Sequence, residues 1–164
     1  MKKLMITILV LFGLMIIGMF AVGIYSHRPP ELGLVHGKLS PCSDKPNCVC
    51  SETDKADTQH SIRPLSTAGT DDHIAWTRLM DAVKACGGSI QQHSDTYLHA
   101  TFTSFLFRFV DDFEARLDPR NHMIHIRSAS RVGHSDLGIN RKRLGKIRLE
   151  YDKQVPSRNG QVGR

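Results

Sequence analysis

The chain begins with one long apolar run and then changes to shorter, alternating segments. Residues 4–25 carry no charge and are almost wholly apolar. At 1.5 Å of rise per residue this run would span roughly 33 Å, enough to cross the hydrocarbon core of a bilayer. A cleavable signal usually has a shorter apolar region followed by small residues. The pattern therefore predicts an uncleaved membrane anchor over residues 1–26, with a cleaved signal or a buried helix as alternatives.

Beyond residue 60 the apolar positions follow a helical period, then a period of two, then a helical period again. Residues 61–65 predict a short strand, and a helix follows that starts at Thr70 or Asp71 and ends before Gly87. A second helical stripe covers residues 139–153. Between the helices, four period-two segments predict antiparallel strands: residues 90–93, 97–104, 111–117 and 123–130.

This order, β-α-β-β-β-β-α, predicts a two-layer α+β domain preceded by one transmembrane helix. Alternation gives the sheet one apolar and one polar face, and two helices can cover the apolar face. We predict a mostly antiparallel sheet of about five strands with both helices on one face. The domain would occupy residues 61–154, residues 27–60 would form a tether and cysteine loop, and residues 155–164 a flexible tail.

The charge outside the anchor is moderate. Residues 27–164 carry 20 Lys and Arg against 16 acidic residues. Nucleic-acid-binding proteins usually show a stronger, clustered excess and a recognisable module, so no nucleic-acid partner is predicted, whereas this balance suits an anionic membrane surface. Because Lys2 and Lys3 precede the apolar run, the positive-inside rule predicts a single-pass inner-membrane protein with its domain in the periplasm.

Three of the four cysteines crowd into SPCSDKPNCVCS. In an oxidising periplasm, Cys42 and Cys48 could close a small loop turned by Pro46 and Asn47. A metal site is the alternative, but the C-x5-C-x-C spacing lacks the paired two-residue spacings of structural zinc sites. The sequence therefore predicts a disulfide between Cys42 and Cys48, no metal site and no cofactor.

The segment RSASRVGHSDLGINRKR, residues 127–143, combines four arginines, one lysine and three serines around Asp136 at a strand-to-helix junction. Backbone amides at a helix start and guanidinium groups both favour anions. Alternation nevertheless places Arg127 and Arg131 on one side of the strand and Ser128 and Ser130 on the other. The candidate ligand-binding residues are Arg127, Ser128, Ser130, Arg131, Ser135, Asp136, Asn140, Arg141 and Arg143.

Two other interpretations of this segment stay open. The arginines could form an internal lattice with Asp111, Asp112, Glu114 or Asp136, because ion-pair networks are common in protein structures. A hydrolase would take one of the three serines as nucleophile, with His134 or His125 as base. No Gly-x-Ser-x-Gly elbow is present and close neighbours in sequence seldom point at one another, so no catalytic residue is predicted.

The stretch FLFRFVDD, residues 105–112, places three phenylalanines at alternate positions. Core packing is the simplest interpretation, because aromatic side chains dominate core burial. If the connection instead carried Phe105, Phe107 and Phe109 outward, they would line an apolar pocket or press against a bilayer.

Three motifs together resemble a known family: PCSDKPNCVCS, FVDDFEARL and IHIRSASRVGHSDLGINRKR. Over about residues 39–153 the chain resembles the bacterial and plastid family called domain of unknown function 1499. The resemblance implies a small membrane-associated or exported protein and assigns no activity. Cys50 stands where members more often carry serine, and His134 where an aromatic residue is expected.

These features favour an envelope protein that acts as a binding module over one that acts as an enzyme. It would bind an anionic or amphipathic envelope ligand, or a partner protein, through the arginine-rich segment. The alternatives are a hydrolase acting on an envelope ester or phosphate, and a structural accessory subunit of a membrane complex.

Overall fold

A computed structural model describes residues 1–154, so the predicted flexible tail, residues 155–164, lies outside the described residues. The described part contains three α-helices and eight strands. In chain order they are α1 (Lys2–Tyr25), β1 (Leu34–Val35), β2 (Lys38–Leu39), β3 (Cys48–Cys50), β4 (Leu65–Ser66), α2 (Asp72–Ala85), β5 (Ser89–His93), β6 (Tyr97–Thr103), β7 (Val110–Asp118), β8 (Met123–Ser130) and α3 (Ile139–Lys153). The predicted α+β class with a mostly antiparallel sheet is confirmed.

The main sheet has six strands, and β5, β6, β7 and β8 follow one another across it as an antiparallel meander. The outer edge of β8 is shared by two short strands. Its end near Ala129 pairs with β3, and its start near Ile124 pairs with β4. Sequence reasoning predicted about five strands and missed β3, since three residues are too few to show a period of two.

One face of the sheet carries the apolar core. Along β7, Phe113, Ala115 and Leu117 are buried on this side. Leu79 and Val83 from α2 belong to the same core. Helix α2 starts where predicted, because the Asp71 carboxylate accepts hydrogen bonds from two backbone amides of the first turn. The core thus lies between the sheet and the two helices α2 and α3, as predicted.

The opposite face of the sheet is charged yet buried. Asp112 and Glu114 are 3% and 0% exposed. Residues 27–60, predicted as a tether and cysteine loop, pack over this charged face and shield it from water. The Gly33 amide donates to Glu114 Oε1, and Leu39, which is buried, donates its amide to Glu52 Oε2. Paired charges can be buried in this way, because each partner replaces water for the other.

The structure contains the predicted disulfide between Cys42 and Cys48. It fastens the start of β3 and therefore one edge of the sheet. Cys50 is a free thiol, and its burial raises its pKa, which disfavours the reactive thiolate.

Replacing both Cys42 and Cys48 with alanine should lower the free energy of unfolding by about 2 kcal/mol, because the bridge restricts the unfolded chain over a short loop. Urea unfolding of the oxidised protein would measure the change. The matched control is Cys86→Ala, which removes a half-buried free thiol. Equal stabilities of the double variant and the control would contradict the prediction.

Helix α1 is the one described helix that is long and apolar enough to cross a membrane. Its residues are almost all exposed, and only Gly23 among them is buried. The core-packing interpretation of the three phenylalanines was wrong. Phe105 is 95% exposed, and Phe107 and Phe109 are half-buried outside the core. They lie in the β6–β7 connection, which runs beside the end of α1.

Candidate functional site

The arginine-rich segment is divided between the two faces of the sheet. Arg127 and Arg131 extend toward the charged face, whereas the Ser128 hydroxyl lies on the helix face, where it donates to Asn140 Oδ1 at 2.6 Å. The segment thus does not form one cluster of side chains. The division follows from the alternation of β8, which ends at Ser130.

Arg131 joins the sheet to the end of the anchor helix. Its Nε and Nη2 atoms donate to the two carboxylate oxygens of Asp112 at 2.8 and 2.7 Å. Its Nη1 atom lies 3.2–3.3 Å from the carbonyl oxygens of Ser26, His27 and Arg28. A guanidinium at a helix carboxyl end is favourable, because the last carbonyls of a helix have no partner within the helix.

Asp112 also contacts a histidine. His99 Nε2 lies 2.8 Å from Asp112 Oδ1. Burial alone would raise the pKa of Asp112, but the hydrogen bonds from Arg131 and His99 outweigh it, and the pKa is lowered. Asp112 therefore remains a carboxylate, and it neutralises the charge of Arg131.

Glu114 forms a second buried ion pair on the charged face, next to the pair of Asp112 and Arg131. Its carboxylate accepts from Arg127 Nη1 at 2.8 Å, from the Tyr97 hydroxyl at 2.7 Å and from the Gly33 amide at 3.1 Å. Burial and the contact with this carboxylate raise the pKa of the Tyr97 hydroxyl, which stays protonated as the donor. Arg127 is thereby held within the protein.

On the helix face, Asn140 at the start of α3 connects several elements. Its Nδ2 donates to the Asn47 carbonyl at 2.9 Å and to the Ser130 hydroxyl at 3.0 Å. Arg143 donates to Asn140 Oδ1, and its Nη2 donates to Asp111 Oδ2 at 2.6 Å. This network fastens α3 to β7 and β8.

The remaining candidates of the segment also have partners inside the protein. Asp136 accepts from the amides of Gly138 and Asn140, so it occupies part of the amide-rich start of α3 where an anion was expected. Ser135 accepts from the Leu137 amide. Arg141 donates to the carbonyls of Thr58, Gln59 and Ser61. The structure does not bring Arg131, Arg141 and Arg143 together around one point.

A cleft of about 520 Å³ lies on the charged side of the sheet, next to the end of α1. It is lined by His27, Pro29, Gln91, Gln92, His99, Thr101, Thr103, Val110 and Arg131. The alternation of β6 places His99, Thr101 and Thr103 on the polar face of the strand. Sequence reasoning missed the cleft because nothing in the pattern shows that residues 27–29 return to this face.

The serines considered for a hydrolase do not meet a catalytic base. Ser128 is bonded to Asn140 and Arg143, and His125 lies on the other face of β8. The structure instead brings Ser51 to His125, with Oγ 3.3 Å from Nδ1, and His125 Nε2 lies 3.8 Å from Asp118 Oδ2. The distances from Ser51 to His125 and from His125 to Asp118 exceed those between an activated nucleophile and its base. None of these three residues lines the cleft.

One comparison with known proteins assigns the chain to a described family. The model of the family described as "Protein of unknown function (DUF1499)" matches residues 38–150. The match begins at β2 and ends within α3, so it covers the sheet and the helices that pack on it. The search of curated proteins found no match.

Proposed function

The chain belongs to the DUF1499 family of proteins of unknown function, and we propose that it is a membrane-anchored binding module for an anionic, amphipathic envelope molecule. The headgroup of this molecule occupies the cleft beside α1. The observation that carries the proposal is that His27 and Pro29 line the cleft. These residues directly follow the helix that is apolar and long enough to cross a membrane.

The position of the cleft suits an amphipathic ligand. When α1 spans the bilayer, the residues after Tyr25 lie in the headgroup region, because the helix is about as long as the hydrocarbon core is thick. A headgroup in the cleft then stays close to the membrane surface. The acyl chains of the same molecule remain in the bilayer, so binding requires no extraction of apolar surface into water.

The chemistry of the cleft suits a headgroup with many oxygen atoms. Thr101 and Thr103 offer hydroxyls, while Gln91 and Gln92 offer side-chain amides. Arg28 and Arg108 are exposed beside the cleft, since Arg28 follows His27 and the Arg108 carbonyl contacts His27 Nε2 at 3.1 Å. Neither guanidinium has an ion-pair partner among residues 1–154. They supply the positive charge, because Asp112 already neutralises Arg131.

The proposed location is the inner membrane, with the domain on the periplasmic side. Lys2 and Lys3, at the start of α1 and before its apolar run, favour a cytoplasmic amino terminus. A disulfide between Cys42 and Cys48 persists in the periplasm, whereas the cytosol would keep both thiols reduced. Protease added to intact spheroplasts should digest the domain, and its protection from the protease would contradict this orientation.

Thr103→Glu should weaken binding of short-chain phosphatidylglycerol by roughly fivefold to tenfold, because the new carboxylate repels the lipid phosphate across a few ångströms. Thr103 is exposed at the end of β6, so the substitution leaves the buried network intact. The full-length protein in neutral detergent would be titrated by calorimetry with dihexanoyl phosphatidylglycerol. Dihexanoyl phosphatidylcholine serves as the ligand control.

The matched protein control is Thr77→Glu, which adds the same charge to an exposed threonine of α2 on the other side of the sheet. It should bind the anionic lipid like the parent protein. Equal affinities of the two variants would contradict the cleft as the site. Equal affinities for the two lipids would contradict the preference for an anion.

A structural accessory role is the second candidate. The extensive bonding of Arg127, Arg131, Arg141 and Arg143 inside the protein favours it. In that case neither lipid would bind, and both glutamate variants would function normally in cells. Hydrolysis of the lipid that is lost in Ser51→Ala would instead favour the hydrolase.

A further inference from the structure

We propose that the β6–β7 connection, residues 104–109, is a second membrane contact, whose apolar tip of Phe105 and Leu106 inserts into the leaflet next to the domain. This inference rests on the proposed function, because it requires α1 to span the bilayer. Its partner is the lipid surface itself. The inserted tip would hold the domain in one orientation and keep the cleft at the headgroups.

The connection packs directly against the side of the anchor helix. A Cβ atom built on Gly23 would lie 1.8 Å from the Phe107 carbonyl oxygen, so this close approach requires glycine. The Phe20 and Phe107 rings lie 5.4 Å apart in an edge-to-face arrangement. The contact is fixed further by Ser26, whose buried hydroxyl accepts from the Val110 amide at 3.0 Å.

These contacts place the connection below the membrane surface. Phe20 precedes the end of α1 by five residues, which corresponds to about 7–8 Å along the helix axis. A helix of 24 residues is roughly 36 Å long, so centring it in a hydrocarbon core of about 30 Å leaves about 3 Å outside on each side. The Phe107 ring, beside Phe20, then lies roughly 4–5 Å inside the boundary, whereas the Phe107 carbonyl, beside Gly23, lies at the boundary itself.

The tip of the connection is apolar and exposed. Phe105 and Leu106 are 95% and 62% exposed. The base is closed, because the Ser104 amide donates to the Phe109 carbonyl at 2.8 Å and the Phe109 amide donates to the Ser104 hydroxyl at 2.9 Å. The apolar side chains are therefore presented outward by an ordered turn. Exposed apolar patches of this kind mark contact surfaces, and here the patch is continuous with a membrane-spanning helix.

Spin labels on single cysteines can measure this insertion in the full-length protein. The background is Cys86→Ser, since Cys50 is buried and the other two cysteines form the disulfide. Labels at Leu14, Leu106 and Arg120 would be compared in vesicles of phosphatidylethanolamine and phosphatidylglycerol. Arg120 is the matched control, because it is exposed at the far end of β7, roughly 26 Å from the tip.

The label at Leu106 should collide several-fold more often with oxygen, which concentrates in lipid, than with a water-soluble nickel complex. The label at Leu14 should show the same preference, and the label at Arg120 the reverse. If the label at Leu14 were exposed to lipid and the label at Leu106 to water, the membrane contact of the tip would be overturned, but the membrane anchor would be supported. If both were exposed to water, the anchor of the proposed function would fail as well. A label at Leu106 that neither reagent reaches would indicate a protein partner and overturn the inference.

Discussion

Glu114→Ala is expected to lower the free energy of unfolding by about 3–5 kcal/mol, the effect typical of removing one partner of a buried ion pair. Glu114 is fully buried and accepts hydrogen bonds from Arg127, Tyr97 and Gly33. Arg127 Nε already has no partner among the described residues. The substitution would leave the whole guanidinium without its carboxylate in a site that excludes water. Urea unfolding of the full-length protein, followed by Trp76 fluorescence, would measure the loss.

Two variants show whether the loss comes from the buried charge. Glu114→Gln keeps one oxygen acceptor, which can serve Tyr97 and Gly33, but removes the negative charge and the second oxygen that accepts from Arg127, so it should be intermediate in stability. Glu150→Ala removes a carboxylate of similar size from an exposed pair with Lys153 on α3, and such pairs contribute at most about 1 kcal/mol. An equal effect of Glu114→Ala and Glu150→Ala would show that the charged face of the sheet does not stabilise the domain.

Local patterns predicted the fold well because they are repeated over many residues. The predicted bounds of α3 and β8 agree with the structure, since each contains a full stretch of helical or alternating positions. The alternation of β8 also separated Arg127 from Ser128 correctly. Features set by one strand or one helix alone could therefore be predicted from sequence.

The cover of the charged face could not be predicted in the same way. It depends on contacts between residues far apart in sequence, such as Gly33 with Glu114 and Ser26 with Arg131. The polar face of a sheet usually meets water. In this protein the face is buried, and only its contacts with residues 27–60 in the structure show this. Phe105 illustrates the reverse case, because the sequence predicted a core side chain and the structure exposes it.

Arg131→Ala is the second variant with a large expected effect, again about 3–5 kcal/mol, because Asp112 would remain buried with His99 as its neighbour. The variant would also release the carbonyls at the end of α1. Proteolysis of residues 26–30 in the folded protein should therefore become faster. Arg131→Lys should be less destabilised, because an ammonium group keeps the charge but cannot bind both carboxylate oxygens and three carbonyls at once.

The same variant separates a structural arginine from one that binds ligand. Arg120→Ala is the control, since it removes an exposed arginine at the far end of the sheet. If Arg131→Ala had the same free energy of unfolding as Arg120→Ala but no longer bound phosphatidylglycerol, Arg131 would contact the ligand and would not stabilise the fold. Loss of stability together with faster cleavage beside α1 would instead identify Arg131 as the residue that positions the cleft at the membrane, because its guanidinium contacts both the sheet and the end of the anchor.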